Sequence, residues 1–286
     1  EDLERGRLGA ITLAQYVADK KYSDVFRDYY LYPMGAAIWS TSLSEMGSFP
    51  AASFFRFFFN HGLLALKDRP QWMVVPGGSQ QYVKQVLSTF NGVVKKEAEI
   101  STISRTANEV RLRYHTGEEE VFDYVVLATH ADEALKLLSD PSDDEVRLLS
   151  PWEYSSNHTV LHWDDSVMPK EKGAWASWNY RVEEPHNDTH PVTLSYHMNR
   201  LQGLKTKRQY FVTLNRVKHI DKSKIVKELY YTHPKYTLDS MATQKELPEL
   251  NGHQRSFFCG SYFSYGFHED AVSAALKVVK HFGVEI

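Results

Sequence analysis

The C-terminal stretch holds the residues best placed to do chemistry. Residues 256–260 (Ser-Phe-Phe-Cys-Gly) read as a short apolar strand, 261–267 as a loop carrying Gly266, and 268–282 as a helix. Ala271, Val272, Ala274, Ala275, Val278, Val279 and Phe282 give that helix its apolar positions. Glu269 and Asp270 fall in its first turn, Lys277, Lys280 and His281 in its last, and Gly283 follows as a cap. A strand, a glycine-bearing loop and a helix N-terminus make an anion site. The first-turn N–H groups have no intrahelical partner, and the helix dipole favours negative charge there. A diphosphate is the natural occupant. The plainer alternative is a packed helix whose acidic residues complement its own dipole.

Other chemistries find less support. His268 opens the helix and is the candidate catalytic residue, with Tyr262 and Tyr265 beside it. Trp175 and Trp178 are three apart, so in a strand they face opposite sides. One would wall a substrate cavity while the other packs, and Asn179 would add a polar contact. His186 and His190 are four apart, but Pro185 and Pro191 bracket them, so no helix presents both and no metal site is expected. Cys259 lies inside an apolar strand and reads as a buried small residue rather than a nucleophile. No Gly-x-Ser-x-Gly elbow occurs.

These residues need elements to position them. Residues 11–30 read as one helix, ended by a break at Tyr32-Pro33-Met34-Gly35. A second helix follows Pro50 and carries Phe54, Phe55, Phe57, Phe58 and Phe59, apolar nearly all round and so expected to be buried or to line a pocket. Residues 72–75 read as a strand, Pro76-Gly77-Gly78 as a turn and 80–90 as a helix. Strands are expected at 93–103, 110–114 and 121–129. The continuously apolar Tyr124-Val125-Val126-Leu127-Ala128 suits a strand covered on both faces. A helix at 131–138 precedes an acidic, proline-bounded stretch at 141–151, read as a crossing between domains. Strands at 159–163, 174–180, 192–198 and 210–214 then precede a helix near 222–231.

Composition narrows the class. The 286 residues include 42% hydrophobic and 24% charged types, an ordinary globular balance. The net charge of −3 comes with scattered basic residues, so nothing points to nucleic acid. The longest apolar run, 51–66, is broken by Arg56, Asn60 and His61, and no membrane span is expected. One cysteine excludes an internal disulfide, and with no signal peptide the expected location is cytoplasmic. The triplets beginning at Asn157 and Asn187 match glycosylation sequons of a kind that arises often by chance.

The stretch Phe257-Phe258-Cys259-Gly260-Ser261-Tyr262, with Gly266-Phe267-His268-Glu269-Asp270-Ala271 after it, resembles the C-terminal flavin motif of amine oxidases and carotenoid desaturases. Ser261 stands where an acidic residue is usual, and Asp270 where a glycine is. The chain is more similar to the FAD/NAD-binding proteins grouped with cyclopropane-fatty-acid synthase systems. Tyr32-Pro33-Met34-Gly35-Ala36-Ala37-Ile38-Trp39-Ser40, Asn60-His61-Gly62-Leu63-Leu64, Trp175-Ala176-Ser177-Trp178-Asn179-Tyr180 and Met198-Asn199-Arg200-Leu201-Gln202 carry that likeness.

The resemblance implies an α/β plus α+β fold. An incomplete FAD/NAD(P)-binding domain would interleave with an amine-oxidase-like substrate domain of mixed sheet and helices. Residues 1–70 would be substrate-domain helices, 71–141 part of the FAD-binding domain, 142–250 the substrate-domain sheet, and 251–286 the final FAD-binding strand and helix. It implies FAD as cofactor, touched by Gly260, Ser261, Gly266, Phe267, His268, Glu269 and Ala271. Ile100 would pair with the adenine edge, and Gly77 and Gly78, also among the cofactor-binding residues, would form the glycine turn entering the helix that returns from the substrate region to the flavin domain. Trp175, Trp178, Asn179 and Tyr262 would line the cavity. The Gly-x-Gly-x-x-Gly motif that opens the family's flavin fold does not occur in the chain. The implied activity is FAD-dependent oxidation, amine-oxidase or desaturase-like, of an apolar or amphipathic small molecule such as a lipid. The alternative is a flavin-free scaffold or accessory protein that binds a lipid or a partner.

Overall fold

A computed structural model describes residues 2–65, 67, 70–181 and 193–284. His186, His190, Asn187 and residue 192 of an expected strand lie outside the described residues. The chain forms two compact units. The first combines Glu1–Val93 with Ser155–His233, and the second combines Val94–Tyr154 with Pro234–Ile286.

The first unit opens with short helices rather than one long one. Helix α1 (Leu13–Asp19) is started by Thr12 and Gln15 in a reciprocal capping box and ends before Lys21, whose φ is 53°. Helix α2 (Asp24–Phe26) runs through a π-turn at Arg27–Leu31 into α3 (Tyr32–Trp39). The expected break at Tyr32-Pro33-Met34-Gly35 is therefore helical. Pro33 follows the π-turn directly, where the Tyr32 N–H reaches back to Arg27 O and the widened turn accommodates the missing donor. Gly35 is needed for packing, since a Cβ there would lie 2.7 Å from the Phe54 ring. Helices α4 (Leu43–Ser48) and α5 (Ala51–Asn60) follow. α5 is amphipathic, not buried all round: Phe54, Phe57 and Phe58 pack with Trp39 and Phe49, while Phe59 is 59% exposed. Residues 72–75 form no strand and are exposed, and α6 (Gln80–Thr89) buries none of its residues.

In the second unit, β1 (Ile100–Arg105), β2 (Val110–Tyr114) and β3 (Glu119–Phe122) make an antiparallel sheet. Only the end of the strand expected at 93–103 pairs. The run expected at 121–129 divides between β3 and β4 (Val125–Leu127), which belong to different sheets. Helices α7 (Ala131–Leu137) and α8 (Asp143–Leu149) come next. Residues 141–151 are thus largely helical inside this unit, and the chain crosses between units at Tyr154–Ser155.

The first unit's sheet has the order β6-β7-β8-β5-β9. Its strands are β5 (Tyr154–His162), β6 (Trp178–Arg181), β7 (Thr193–His197), β8 (Phe211–Leu214) and β9 (Ile225–Pro234), with the short helix α9 (Met198–Gln202) between β7 and β8. Residues 174–177 precede β6 as a turn. The helix expected near 222–231 is strand β9. Its Ile225, Val226, Tyr230, Tyr231 and Thr232 are β-branched or aromatic, and pairing on the edge of β5 outweighs the weak helical spacing. Helix α10 (Leu238–Gln244), β10 (Ser256–Phe258) and α11 (His268–Lys280) complete the second unit.

One face of the five-stranded sheet carries a buried polar chain. Asp164 N–H donates to His162 Nδ1 at 3.1 Å, so neutral His162 carries its proton on Nε2, which meets Thr213 Oγ1 at 2.8 Å. Thr213 and Ser195 hydroxyls are 2.8 Å apart. Val160, Val167, Met168, Phe211 and Ile220 pack on the same face.

Candidate functional site

The site builds from the two-stranded sheet of the second unit. β4 and β10 run parallel, with Val125, Val126 and Leu127 opposite Ser256, Phe257 and Phe258. Their carboxyl ends lie side by side, and Cys259 N–H extends the ladder to Leu127 O at 3.2 Å. β4 feeds through Thr129 and His130 into α7, and β10 through a loop into α11. Two adjacent parallel strands thus deliver two helix N-termini to one end of a sheet, the arrangement in which α/β folds bind anionic ligands. Val126 is 45% exposed, so β4 is not covered on both faces as its apolar run predicts.

Glycine is required at both turns of the loop. A Cβ on Gly260 would lie 2.7 Å from the Tyr262 ring and 3.5 Å from Thr129 O. Gly266 has φ 97°, and a Cβ there would lie 2.7 Å from the Tyr236 hydroxyl. Gly260→Ala is therefore expected to destabilise the protein by about 1–3 kcal/mol, because the buried Tyr262 ring has no space to yield. A melting midpoint equal to wild type would show that the loop is looser than drawn.

Three tyrosines support the loop, and sequence reasoning missed two of them. Tyr154 accepts the Ala131 N–H at 2.9 Å, filling one orphan donor at the start of α7, and stacks on His130 at 4.2 Å. Tyr236 and Tyr262 pack on Trp152. Burial pushes all three phenols well above their ordinary pKa, so they stay neutral at physiological pH. Tyr262 is 1% exposed and its hydroxyl has no hydrogen-bond partner among the described residues. No local sequence pattern marks Tyr154 or Tyr236, whose role comes from distant packing.

The predicted site residues divide between the units. Gly260, Ser261, Tyr262, Gly266, Phe267, His268, Glu269 and Ala271 share the β10–α11 connection. His268 and Glu269 are exposed at the helix start, and Asp270 accepts the Phe267 N–H at 2.9 Å. Ile100 begins β1 of the same unit. Gly77 and Gly78 belong to the first unit, in a turn with φ near 80°. Trp175, Trp178 and Asn179 also belong to the first unit. Trp175 packs against His197 and Phe211 on the polar-chain face, whereas Trp178 pairs with Tyr196 on the opposite face. Asn179 spends its amide on Ala176 N and O and on Ser195 O, fixing the turn that starts β6. Cys259 is buried, and burial pushes its thiol pKa up, as its place in an apolar strand predicts. Among the described residues no acidic, His or Cys cluster could hold a metal.

The sequence profile of flavin containing amine oxidoreductases matches residues 2–198. The chain belongs to the flavin-containing amine oxidoreductase family. A fatty acid isomerase from P. acnes, described as CLA-producing, is 15% identical with a TM-score of 0.61, over 99% of this chain and 75% of that one. Wild-type putrescine oxidase bound to putrescine is 11% identical with a TM-score of 0.65, over 98% of this chain and 69% of that one. Cyclohexylamine oxidase from Brevibacterium oxydans IH-35A is 10% identical with a TM-score of 0.59, over 98% and 69%. At these identities the likeness is one of fold, a mixed helix and sheet architecture of the FAD-dependent amine oxidase type. No curated protein matches the chain. Family membership implies a flavin cofactor. Among the described residues no helix is long and apolar enough to cross a membrane.

The observed residues fit such a group on three counts. Gly260 and Gly266 leave backbone where side chains would intrude, α11 offers its N-terminal N–H groups, and the buried Tyr262 hydroxyl is unpartnered.

Proposed function

We propose that the chain is an FAD-dependent oxidoreductase acting on an apolar or amphipathic small molecule, with a lipid as the favoured class. The parallel β4–β10 pair, feeding α7 and α11 through a loop that tolerates no Cβ at Gly260, carries this reading. Gly260, Ser261, Gly266, Phe267, His268, Glu269 and Ala271 would hold the flavin and its diphosphate, and Ile100 the adenine edge. The α11 N–H groups would bind anionic oxygens, and the helix dipole would stabilise them. Gly260 and Gly266 would let the backbone approach. His268, exposed at the helix start, would hold or release a proton beside the reacting centre. When bound, FAD supplies the electron sink for oxidation of a substrate C–H bond. The second unit would thus serve the cofactor and the sheet of the first unit the substrate. The fatty acid isomerase among the structural neighbours supports a lipid, while the two amine oxidases make a simple amine the competing class.

Anaerobic addition of candidate substrates to the flavin-loaded protein tests this. Bleaching of the flavin bands by a lipid is the expected result. Bleaching by short alkylamines alone would replace the substrate class, and a folded protein that takes up no flavin at the loading step would favour the flavin-free scaffold reading, to which the first-turn carboxylates of α11 also lend support.

A further inference from the structure

The second face of the five-stranded sheet carries a feature that the polar-chain face lacks. Strand register places Leu161, Val212, Tyr196 and Trp178 in one row across β5, β8, β7 and β6. The next row, Thr159, Leu214, Leu194 and Tyr180, runs parallel to it on the same face. Thr159, Leu214 and Leu194 are buried, whereas Leu161, Val212 and Tyr196 are half-buried and Trp178 is 42% exposed. Ser155 Oγ, on the same face beyond the buried row, donates to Ser40 O at the end of α3. The row Leu161, Val212, Tyr196 and Trp178 is therefore the less covered of the two. That row crosses three strand spacings, about 14 Å.

The row is chemically graded. Leu161 and Val212 at one end are aliphatic. Tyr196 and Trp178 at the other meet edge to face, with ring centroids 5.4 Å apart. Neither the Tyr196 hydroxyl nor the Trp178 indole N–H bonds to a described residue. The indole N–H can only donate, the phenol can donate or accept, and neither of the two rows contains an acidic side chain. A ligand laid along the row would meet apolar surface at one end and unclaimed donors at the other.

We infer that this strip binds a straight acyl chain whose carboxyl or carbonyl oxygen accepts from Tyr196 and Trp178. This rests on the oxidoreductase reading for its catalytic meaning and sharpens that reading's substrate class to fatty acids, with about twelve carbons spanning the row. An alkylammonium would need a carboxylate or an open aromatic cage. The Trp178 and Tyr196 rings turn toward each other edge to face, so they do not form a cage of two open faces.

The test is displacement of a fluorescent fatty acid from the purified protein, which needs no turnover. A C12 fatty acid, whose extended length matches the roughly 14 Å row, and the alkylamine of equal length compete in parallel. The acid is expected to displace the probe far better than the amine. Tyr196→Phe is expected to weaken acid binding about three- to tenfold while leaving the melting curve unchanged, the loss of one hydrogen bond. Leu161→Phe, at the tail end, is expected to shift the preference toward shorter acids, which a merely structural residue would not do. Equal or tighter binding of the amine overturns the inference, as does failure of the folded wild type to displace the probe with either ligand. Flavin titration of the same sample separates the two readings. Flavin binding without acid binding sinks the strip alone, and acid binding without flavin binding sinks the oxidoreductase reading alone.

Discussion

Arg105→Met is expected to destabilise the protein by about 3–5 kcal/mol, read as a fall in the urea midpoint of the second unit. Arg105, at the end of β1, is buried and pairs with the buried Glu145 of α8, with Nη2 to Oε2 at 2.8 Å. It also reaches Ser256 Oγ at the start of β10, Asp140 O and the Asp140 carboxylate. One guanidinium thereby ties the three-stranded sheet, α8 and the strand that leads into the proposed site. Burial alone would raise the Glu145 pKa. The Arg105 guanidinium and the Ser142 backbone N–H outweigh it and hold the carboxyl below its usual range. Methionine keeps the length of the stem and removes the charge, so a buried carboxylate is left without its counter-ion. The double variant Arg105→Met/Glu145→Leu is expected to recover most of the loss, because a well-packed apolar pair replaces both charges. A single-variant loss below about 1 kcal/mol would mean that water reaches the pair.

The second large effect is acid lability centred on His162. This imidazole is 0% exposed, and burial holds its pKa down to about 4 despite the nearby Asp164 carboxylate, which favours the charged form. In the unfolded chain the pKa is 6.5. Above that value both states are neutral and the group is silent. As pH falls from 6.5 toward 4, the unfolded state takes up a proton that the folded state refuses, so stability declines. At pH 4 the loss reaches about 3 kcal/mol, and below it levels off. Urea unfolding at pH 7 and pH 4.5 measures this, with His162→Gln as control. The variant is expected to keep most of its pH 7 stability at pH 4.5 relative to wild type. An identical pH slope in both proteins would assign the lability to other groups.

Much of this architecture is legible in the residues, and the exceptions have physical causes. β2 spans Val110–Tyr114 as its alternation predicts, and α11 begins at His268 because acidic residues, apolar spacing and Gly283 all agree on its ends. The turn glycines of the C-terminal loop are also visible, since Gly260 and Gly266 bracket a segment too irregular for strand or helix. Less legible is whatever depends on a distant partner. β9 pairs with a strand more than sixty residues earlier in sequence (Tyr154–His162 against Ile225–Pro234), and the pairing overrides a weak helical pattern. Arg105 and Glu145 are 40 residues apart, and nothing local distinguishes them from surface charges. Tyr154 and Tyr236 gain their places at the loop only through packing. Tyr196 had a signal that went unused, since it alternates with the buried Ser195 and His197 and so had to face the other side.

The central claim is that the β10–α11 connection holds a flavin. The visible absorption spectrum of the purified protein, incubated with FAD and freed of excess, tests it most directly when wild type is measured beside Gly260→Val. The account predicts flavin bands in the wild type and their loss in the variant, with circular dichroism showing both folded. A folded wild type that stays colourless, or a folded variant that keeps the full bands, would contradict it.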